Sequence, residues 1–198
     1  MSTRILLATR NAKKLVELRR ILDEALGNGA IELVGLGDLA DYPEAPEIGL
    51  TFAENALLKA REAVRHTGLP SVADDSGIAV DALNGMPGVF SARWSGKHGD
   101  DLANLRLVLA QVGDVPEEHL GAAFVCAAAL VRPDGREQVV HGEMRGRLVR
   151  EPRGENGFGY DPIFVADGYD RTNAELPPAE KDTISHRGKA FRALAALL

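Results

Sequence analysis

The sequence predicts an α/β fold, and three observations carry that prediction. Ile5 to Ala8 is a short apolar strand that runs through a polar loop, Thr9-Arg10-Asn11, into an amphipathic helix from about Ala12 to Leu26. A second helical pattern, Ala53 to Val64, leads to the apolar stretch Leu69 to Ala73, which has the β-branched and small residues of a short buried strand. Phe124 to Val131 and Gln138 to Gly142 flank the turn Arg132-Pro133-Asp134-Gly135-Arg136 and read as a β-hairpin.

In the first helix Leu15, Leu18, Leu22, Ala25 and Leu26 recur at helical spacing, and Gly27-Asn28-Gly29 stops it. Asp38 to Ile48 is a loop rich in proline and acid, with Pro43, Glu44, Pro46 and Glu47. Thr51-Phe52-Ala53-Glu54 matches a capping box, ahead of a helix face made by Ala53, Ala56, Leu57, Ala60 and Val64. Lys59 sits among alanines there and reads as a surface residue unless the helix lines a cleft. The strand Leu69 to Ala73 ends in Asp74-Asp75-Ser76-Gly77; such ends lie at the carboxyl edge of a sheet, where open α/β folds keep their ligands. Turn residues crowd Leu83 to Gly88, and Asp100 or Asp101 caps a helix carrying Leu102, Leu105, Val108, Leu109 and Val112. After the hairpin, a third antiparallel piece is expected from Gly146 to Arg150. Pro178 to Ile184 is a short helix, and Ser185 is the N-cap of a terminal helix carrying Phe191, Leu194, Ala195 and Leu198.

A length of 198 residues suits one domain, residues 1–198, with a hairpin-rich second lobe over roughly 120–165. The formal net charge of −6 argues against broad nucleic-acid binding, but a small polyanion remains compatible if a local positive focus or a metal ion receives it. No apolar run approaches the ~18 residues of a membrane span. The N-terminus lacks the layout of a signal peptide, so a cytoplasmic setting is expected. The single cysteine, Cys126, lies in an apolar run and reads as a small buried hydrophobe.

Three stretches carry candidate chemistry. The loop before the first helix suits either a phosphate site, with Thr9, Asn11 and Lys14 at the positive end of the helix dipole, or an ordinary N-cap with a surface lysine. Asp74 and Asp75 repel each other unless a cation sits beside them, so they suit either a hard divalent ion such as Mg²⁺ or a solvated turn. On a regular strand the two would point to opposite faces, which disfavours both acting on one water. In Arg153 to Pro162, glycines bracket Phe158 and Tyr160, which either stack on a planar base or fold inward. Arg93, beside the only tryptophan, Trp94, suits a phosphate clamp or a surface stack. His186 and Arg187 stand in the first turn of the last helix, the end where the dipole disfavours cations.

Six motifs occur in order: Thr9 to Lys14, Gly49 to Ala56, Ala73 to Gly77, Pro87 to Arg93, Gly157 to Pro162 and Ser185 to Gly188. Together they resemble the inosine triphosphate pyrophosphatase family, the dITP/XTP pyrophosphatases, over nearly the whole chain. The resemblance implies an elongated two-lobed α/β protein, with a long mixed central sheet flanked by helices and the active site in the cleft between lobes. It implies a homodimer that hydrolyses ITP, dITP and XTP to the monophosphate and pyrophosphate with Mg²⁺, and so cleans the nucleotide pool. Thr9, Arg10, Asn11, Ala12, Lys13 and Lys14 would bind the phosphates. Asp75 would be the catalytic base and, with Glu47, would hold the metal. Ser76, Phe158, Gly159, Tyr160, Asp161, Lys181, His186 and Arg187 would contact the nucleotide. Rival readings are a pyrophosphatase for other modified or standard nucleotides and a non-catalytic nucleotide-binding module. A dehydrogenase is excluded by the lack of a glycine-rich dinucleotide fingerprint.

Overall fold

The computed structural model describes residues 3–27, 31–39, 42–43 and 45–198; Asn28, Gly29 and Glu44, named above as a helix stop and a loop acid, lie outside them. Strand β1 (Thr3–Leu7) leads into helix α1 (Ala12–Leu26), and strand β2 (Ile31–Gly35) follows. Helix α2 (Phe52–Thr67) precedes strand β3 (Ser71–Val80), and helix α3 (Asp101–Gln111) precedes the long strands β4 (Gly121–Val131) and β5 (Glu137–Leu148). Strand β6 (Phe164–Ala166) and helices α4 (Pro178–Ile184) and α5 (His186–Ala195) complete the chain.

Among the described residues the strands form one six-stranded sheet in the order β2-β1-β3-β4-β5-β6. It is mixed. β1 runs parallel to β2 and β3, with Leu7 opposite Gly35 and Val72, whereas β5 and β6 are antiparallel, with Leu148 opposite Phe164. The α/β class and the flanking helices are therefore as the sequence indicates. No helix among the described residues is long and apolar enough to cross a membrane.

Local chemistry explains the helices. Thr51 Oγ1 accepts from Glu54 N at 3.1 Å while Glu54 Oε2 accepts from Thr51 N at 3.0 Å, so the capping box forms in full. Asp100, rather than Asp101, caps α3, accepting from Ala103 N at 3.2 Å. Three strand expectations need correction. The aspartate pair does not end a strand: Asp74 and Asp75 lie inside β3, which continues to Val80 because other side chains neutralise them. The hairpin return and the expected third piece are one strand, β5, with Gly142, Met144, Gly146 and Leu148 buried and the residues between them exposed. Glycines that look like breaks are inward positions of a regular alternation. Strand β2 has no counterpart among the expected elements.

The chain divides into two compact units. The first comprises Met1–Asp75, Cys126–Gly142 and Arg187–Leu198; the second comprises Ser76–Val125 and Glu143–His186. In the first unit, strand alternation feeds two separate cores. Ile5, Leu7, Val72, Cys126, Ala128 and Leu130 pack with Leu18, Ile21 and Leu22 of α1 and Phe191 and Leu194 of α5. Leu6, Ala8, Ala73, Ala127, Ala129 and Val131 pack with Ala56, Ala60 and Ala63 of α2. Each large side chain in the first core stabilises by ~1.5–3 kcal/mol on burial. The alanines of the second core contribute less, but they let the α2 backbone approach the sheet closely. In the second unit Ile78, Val80, Leu105, Val108, Phe124, Met144 and Phe164 form the core. Phe124 meets Phe164 edge-on at 4.8 Å and stacks on His186 at 4.9 Å.

Candidate active site

The polar site of the first unit follows from the same alternation. Val72 belongs to the α1–α5 core and Ala73 to the α2 core. Continuing the period of two puts Asp74 on the first side and Asp75 on the second. Both are buried, at 3% and 7% exposure.

On the first side, Asp74 Oδ2 accepts from Lys14 Nζ at 3.1 Å and from Arg187 Nε at 3.3 Å. Arg187 Nη1 also donates to Glu17 Oε2 at 2.6 Å, and Glu17 and Arg187 are both buried. Burial opposes ionisation of Asp74, but the charges of Lys14, Arg187 and Lys59 outweigh it and hold the carboxyl well below the usual carboxylate range. The Arg187 guanidinium is correspondingly held above its ordinary value, since Glu17 and Asp74 overcome its burial.

On the second side, Asp75 Oδ2 accepts from Asn55 Nδ2 at 3.0 Å and Oδ1 from Lys59 Nζ at 3.3 Å. Lys59 Nζ also donates to Glu47 Oε1 at 3.0 Å. Burial pushes Asp75 up; Lys59 opposes this, while the nearby Glu47 adds to it, and the net direction is upward. Lys59 itself loses hydration on burial, yet Asp75, Asp74 and Glu47 raise it above its ordinary value. The surface reading of Lys59 is therefore corrected: its ammonium lies between two carboxylates, and its side chain is 13% exposed.

The loop before α1 caps the helix, but Lys14 is not a surface lysine: its side chain is 16% exposed and bonded to Asp74. Asn11 Oδ1 accepts from Lys13 N at 3.0 Å and Lys14 N at 3.1 Å, and Thr9 Oγ1 accepts from Asn11 N at 3.2 Å. Two backbone donors that a phosphate would use are thus taken by the cap, and the positive charge at this end comes from side chains. Arg10 is exposed; its guanidinium donates to Tyr42 O and lies 5.5 Å from the Tyr42 ring centroid. Ala12 and Lys13 are exposed in the first turn.

The second unit holds its own buried cluster. Asp161 Oδ2 accepts from Lys181 Nζ at 2.6 Å and Phe158 N at 2.9 Å, and Oδ1 accepts from Asn173 Nδ2 at 3.2 Å. Gly157 has φ +72°, and a Cβ there would lie 2.1 Å from Asp161 Oδ2, so both backbone and space require glycine. Gly159 N donates to Asp101 Oδ2 at 3.0 Å. Of the two aromatic rings, Tyr160 folds inward, donating its hydroxyl to Ser91 O at 2.8 Å, and burial pushes its phenol up. Phe158 remains partly exposed, with Lys181 Nζ 5.5 Å from its ring centroid. Arg93 lies over Phe90 at 5.2 Å, while Trp94 Nε1 donates to Gln111 at 2.8 Å. Ser76, next along β3 from Asp75, is partly exposed.

Sequence reasoning did not assign roles to Glu17 and Asn55. A signal exists for each. Glu17 is an acid beside Leu18 on the apolar face of α1, three residues from Lys14; Asn55 lies four residues before Lys59, on one stripe of an alanine-rich helix. Among the described residues no group of three or more His, Cys, Asp or Glu side chains has the arrangement of a metal cage. Glu47 and Asp75 nevertheless supply hard oxygen donors around a single cationic position, now that of Lys59 Nζ, and Mg²⁺ is commonly held by one or two carboxylates plus substrate phosphates.

The Ham1 family profile matches residues 5–197 of this sequence. The dITP/XTP pyrophosphatase of Nocardia farcinica is 64% identical over 198 residues, covering 98% of this chain and 96% of that protein. The protein of the same name from Mycobacterium tuberculosis is 62% identical over 196 residues, covering 99% and 94%. A crystal structure from Mycobacterium abscessus, described as a nucleoside-triphosphatase and dITP/XTP pyrophosphatase, is 62% identical and superposes with a TM-score of 0.78, covering 99% of this chain and 98% of that one. A HAM1 protein structure from Coxiella burnetii is 41% identical with a TM-score of 0.88, covering 98% of each chain.

Proposed function

The chain belongs to the Ham1 family, and on that premise we propose that it hydrolyses dITP, XTP and ITP to the monophosphate and pyrophosphate. The observation that carries the assignment of the site is the Glu47–Lys59–Asp75 cluster, in which a carboxylate with a raised pKa sits beside a buried ammonium.

Splitting a phosphoanhydride asks little covalent work of the protein; it needs a positioned water and neutralised oxygens. Asp75 takes the proton of the attacking water. Burial pushes its carboxyl upward, the direction that makes a carboxylate more basic. Lys14 and Lys59, now paired with Asp74 and with Glu47 and Asp75, would neutralise phosphate oxygens, and exposed Arg10 and Lys13 would add charge at the α1 end. Asp74, locked in its ion pairs, keeps Lys14 and Arg187 in place and takes no proton. Glu47 and Asp75 would hold Mg²⁺, which would supply Lewis-acid charge for the phosphates.

Base choice is assigned to Ser76, Phe158, Gly159, Tyr160, Asp161, Lys181, His186 and Arg187. Deaminated purines present a 6-oxo acceptor where adenine presents an amino donor, and Arg187 can only donate. The same reading makes the protein a cytoplasmic homodimer; light scattering tests the oligomer. The central experiment measures pyrophosphate release from dITP, XTP, ITP, ATP, GTP and dTTP, with Mg²⁺ and with EDTA. We expect turnover of the first three well above ATP and dTTP, lost with EDTA and restored by Mg²⁺. Equal turnover of dTTP would favour the broader pyrophosphatase reading, and nucleotide binding without pyrophosphate release would favour a non-catalytic module.

A further inference from the structure

Resting on the reading of Asp75 as the base, we propose that Asn55 is a positioning residue that fixes which oxygen of Asp75 does the work. Gly49 N donates to Asn55 Oδ1 at 2.8 Å. A backbone N–H can only donate, so the amide oxygen must face Gly49 and the amide NH₂ must face Asp75. Nδ2 then donates to Asp75 Oδ2 at 3.0 Å. Asn55 is 0% exposed, so water does not compete for either bond. Oδ2 is thereby held by a buried amide, while Oδ1, whose 3.3 Å partner Lys59 is shared with Glu47, is the oxygen presented to the reacting water.

The same amide ties down the segment that carries Glu47. Gly49 stands two residues after Glu47, and a Cβ on Gly49 would lie 2.7 Å from Asn55 Oδ1 and 2.7 Å from Glu54 Cβ. Only glycine allows this approach. One buried amide thus sets the position of the Glu47 segment relative to Asp75.

Two variants separate positioning from mere support. Asn55→Asp keeps an acceptor for Gly49 N but replaces the donor to Asp75; Asn55→Leu removes both bonds at similar volume. We expect kcat for dITP to fall about 100-fold in each, the scale of a misplacement near 1 Å. KM should stay within about threefold, because phosphate contacts are untouched. Circular dichroism and thermal unfolding establish the folded fraction to which rates are normalised. In an Asp75→Asn background, measured by single turnover, Asn55→Leu should cost far less than in the wild type, because the oxygen it aimed is gone and only its hold on the Glu47 segment remains. Independent, multiplying losses in that background would overturn the proposal, as would wild-type kcat in folded Asn55→Leu. A wild-type protein that releases no pyrophosphate from dITP or XTP would instead defeat the functional reading itself, whatever the variants do.

Discussion

Asp74 and Asp75 are adjacent in β3, yet they sit on opposite sides of it in opposite electrical settings. On one side Asp74 meets Lys14 and Arg187, and its carboxyl is held well below the usual range. On the other, Asp75 meets a neutral amide and an ammonium that it shares with Glu47, and it is pushed up. That divergence is what the proposed roles require, with Asp75 exchanging protons and Asp74 serving as a fixed charge. The strand supplies the division without any special backbone: alternation sends one side chain to the α1–α5 side and the next to the α2 side.

The sharpest way to break this comparison is to neutralise each carboxylate in turn. Asp75→Asn should lower kcat by about 10²–10⁴-fold, the range for a lost general base, with a small change in stability. A folded Asp75→Asn variant with near-normal turnover at saturating Mg²⁺ would sink the assignment. Next in size, Arg187→Ala leaves Glu17 and Asp74 buried without their guanidinium and should cost about 3–5 kcal/mol in urea unfolding. The gentler Arg187→Lys tests the base-contact role: a changed ratio of kcat/KM for ITP over ATP supports it, and an unchanged ratio confines Arg187 to holding Asp74.

The pH dependence of stability sharpens the contrast further. Asp74 has a depressed folded pKa, so its contribution is present above its unfolded value, near 4, and is lost as pH falls below it. Asp75 has a raised folded pKa, so its contribution runs the other way: present below its unfolded value and lost as pH rises through the folded one. Urea unfolding from pH 6 down to pH 3 should therefore show a steeper acid loss in wild type than in Asp74→Asn, and Asp75→Asn should not flatten it. The smallest expected effect lies away from both carboxylates. Thr51→Ala removes the α2 cap and should cost about 1 kcal/mol in thermal unfolding, with little change in kcat.

Much of this was legible in the residues. The bounds of α1 follow from leucine spacing, the start of α2 follows from its capping box, and the opposite facing of Asp74 and Asp75 follows from strand period. Strand β2 was not, because Ile31 to Gly35 is five residues long with Glu32 as its second residue, too short for alternation to stand out. The continuation of β3 past Asp75 was not, because a strand interior looks forbidden to two carboxylates until their partners are known.

The sequence by itself determined the α/β class and most helices, since each depends on neighbours a few residues apart, while the order of six motifs along the chain singled out Ala73 to Gly77 as the candidate chemical centre. Tertiary structure alone decided what the centre is made of. The partners of Asp74 come from 60 residues before it and 113 after it, and Glu17 meets Arg187 across 170 residues. No local pattern encodes such pairings; they arise when α1, α2 and α5 pack on the sheet and a buried charge must find its counter-charge.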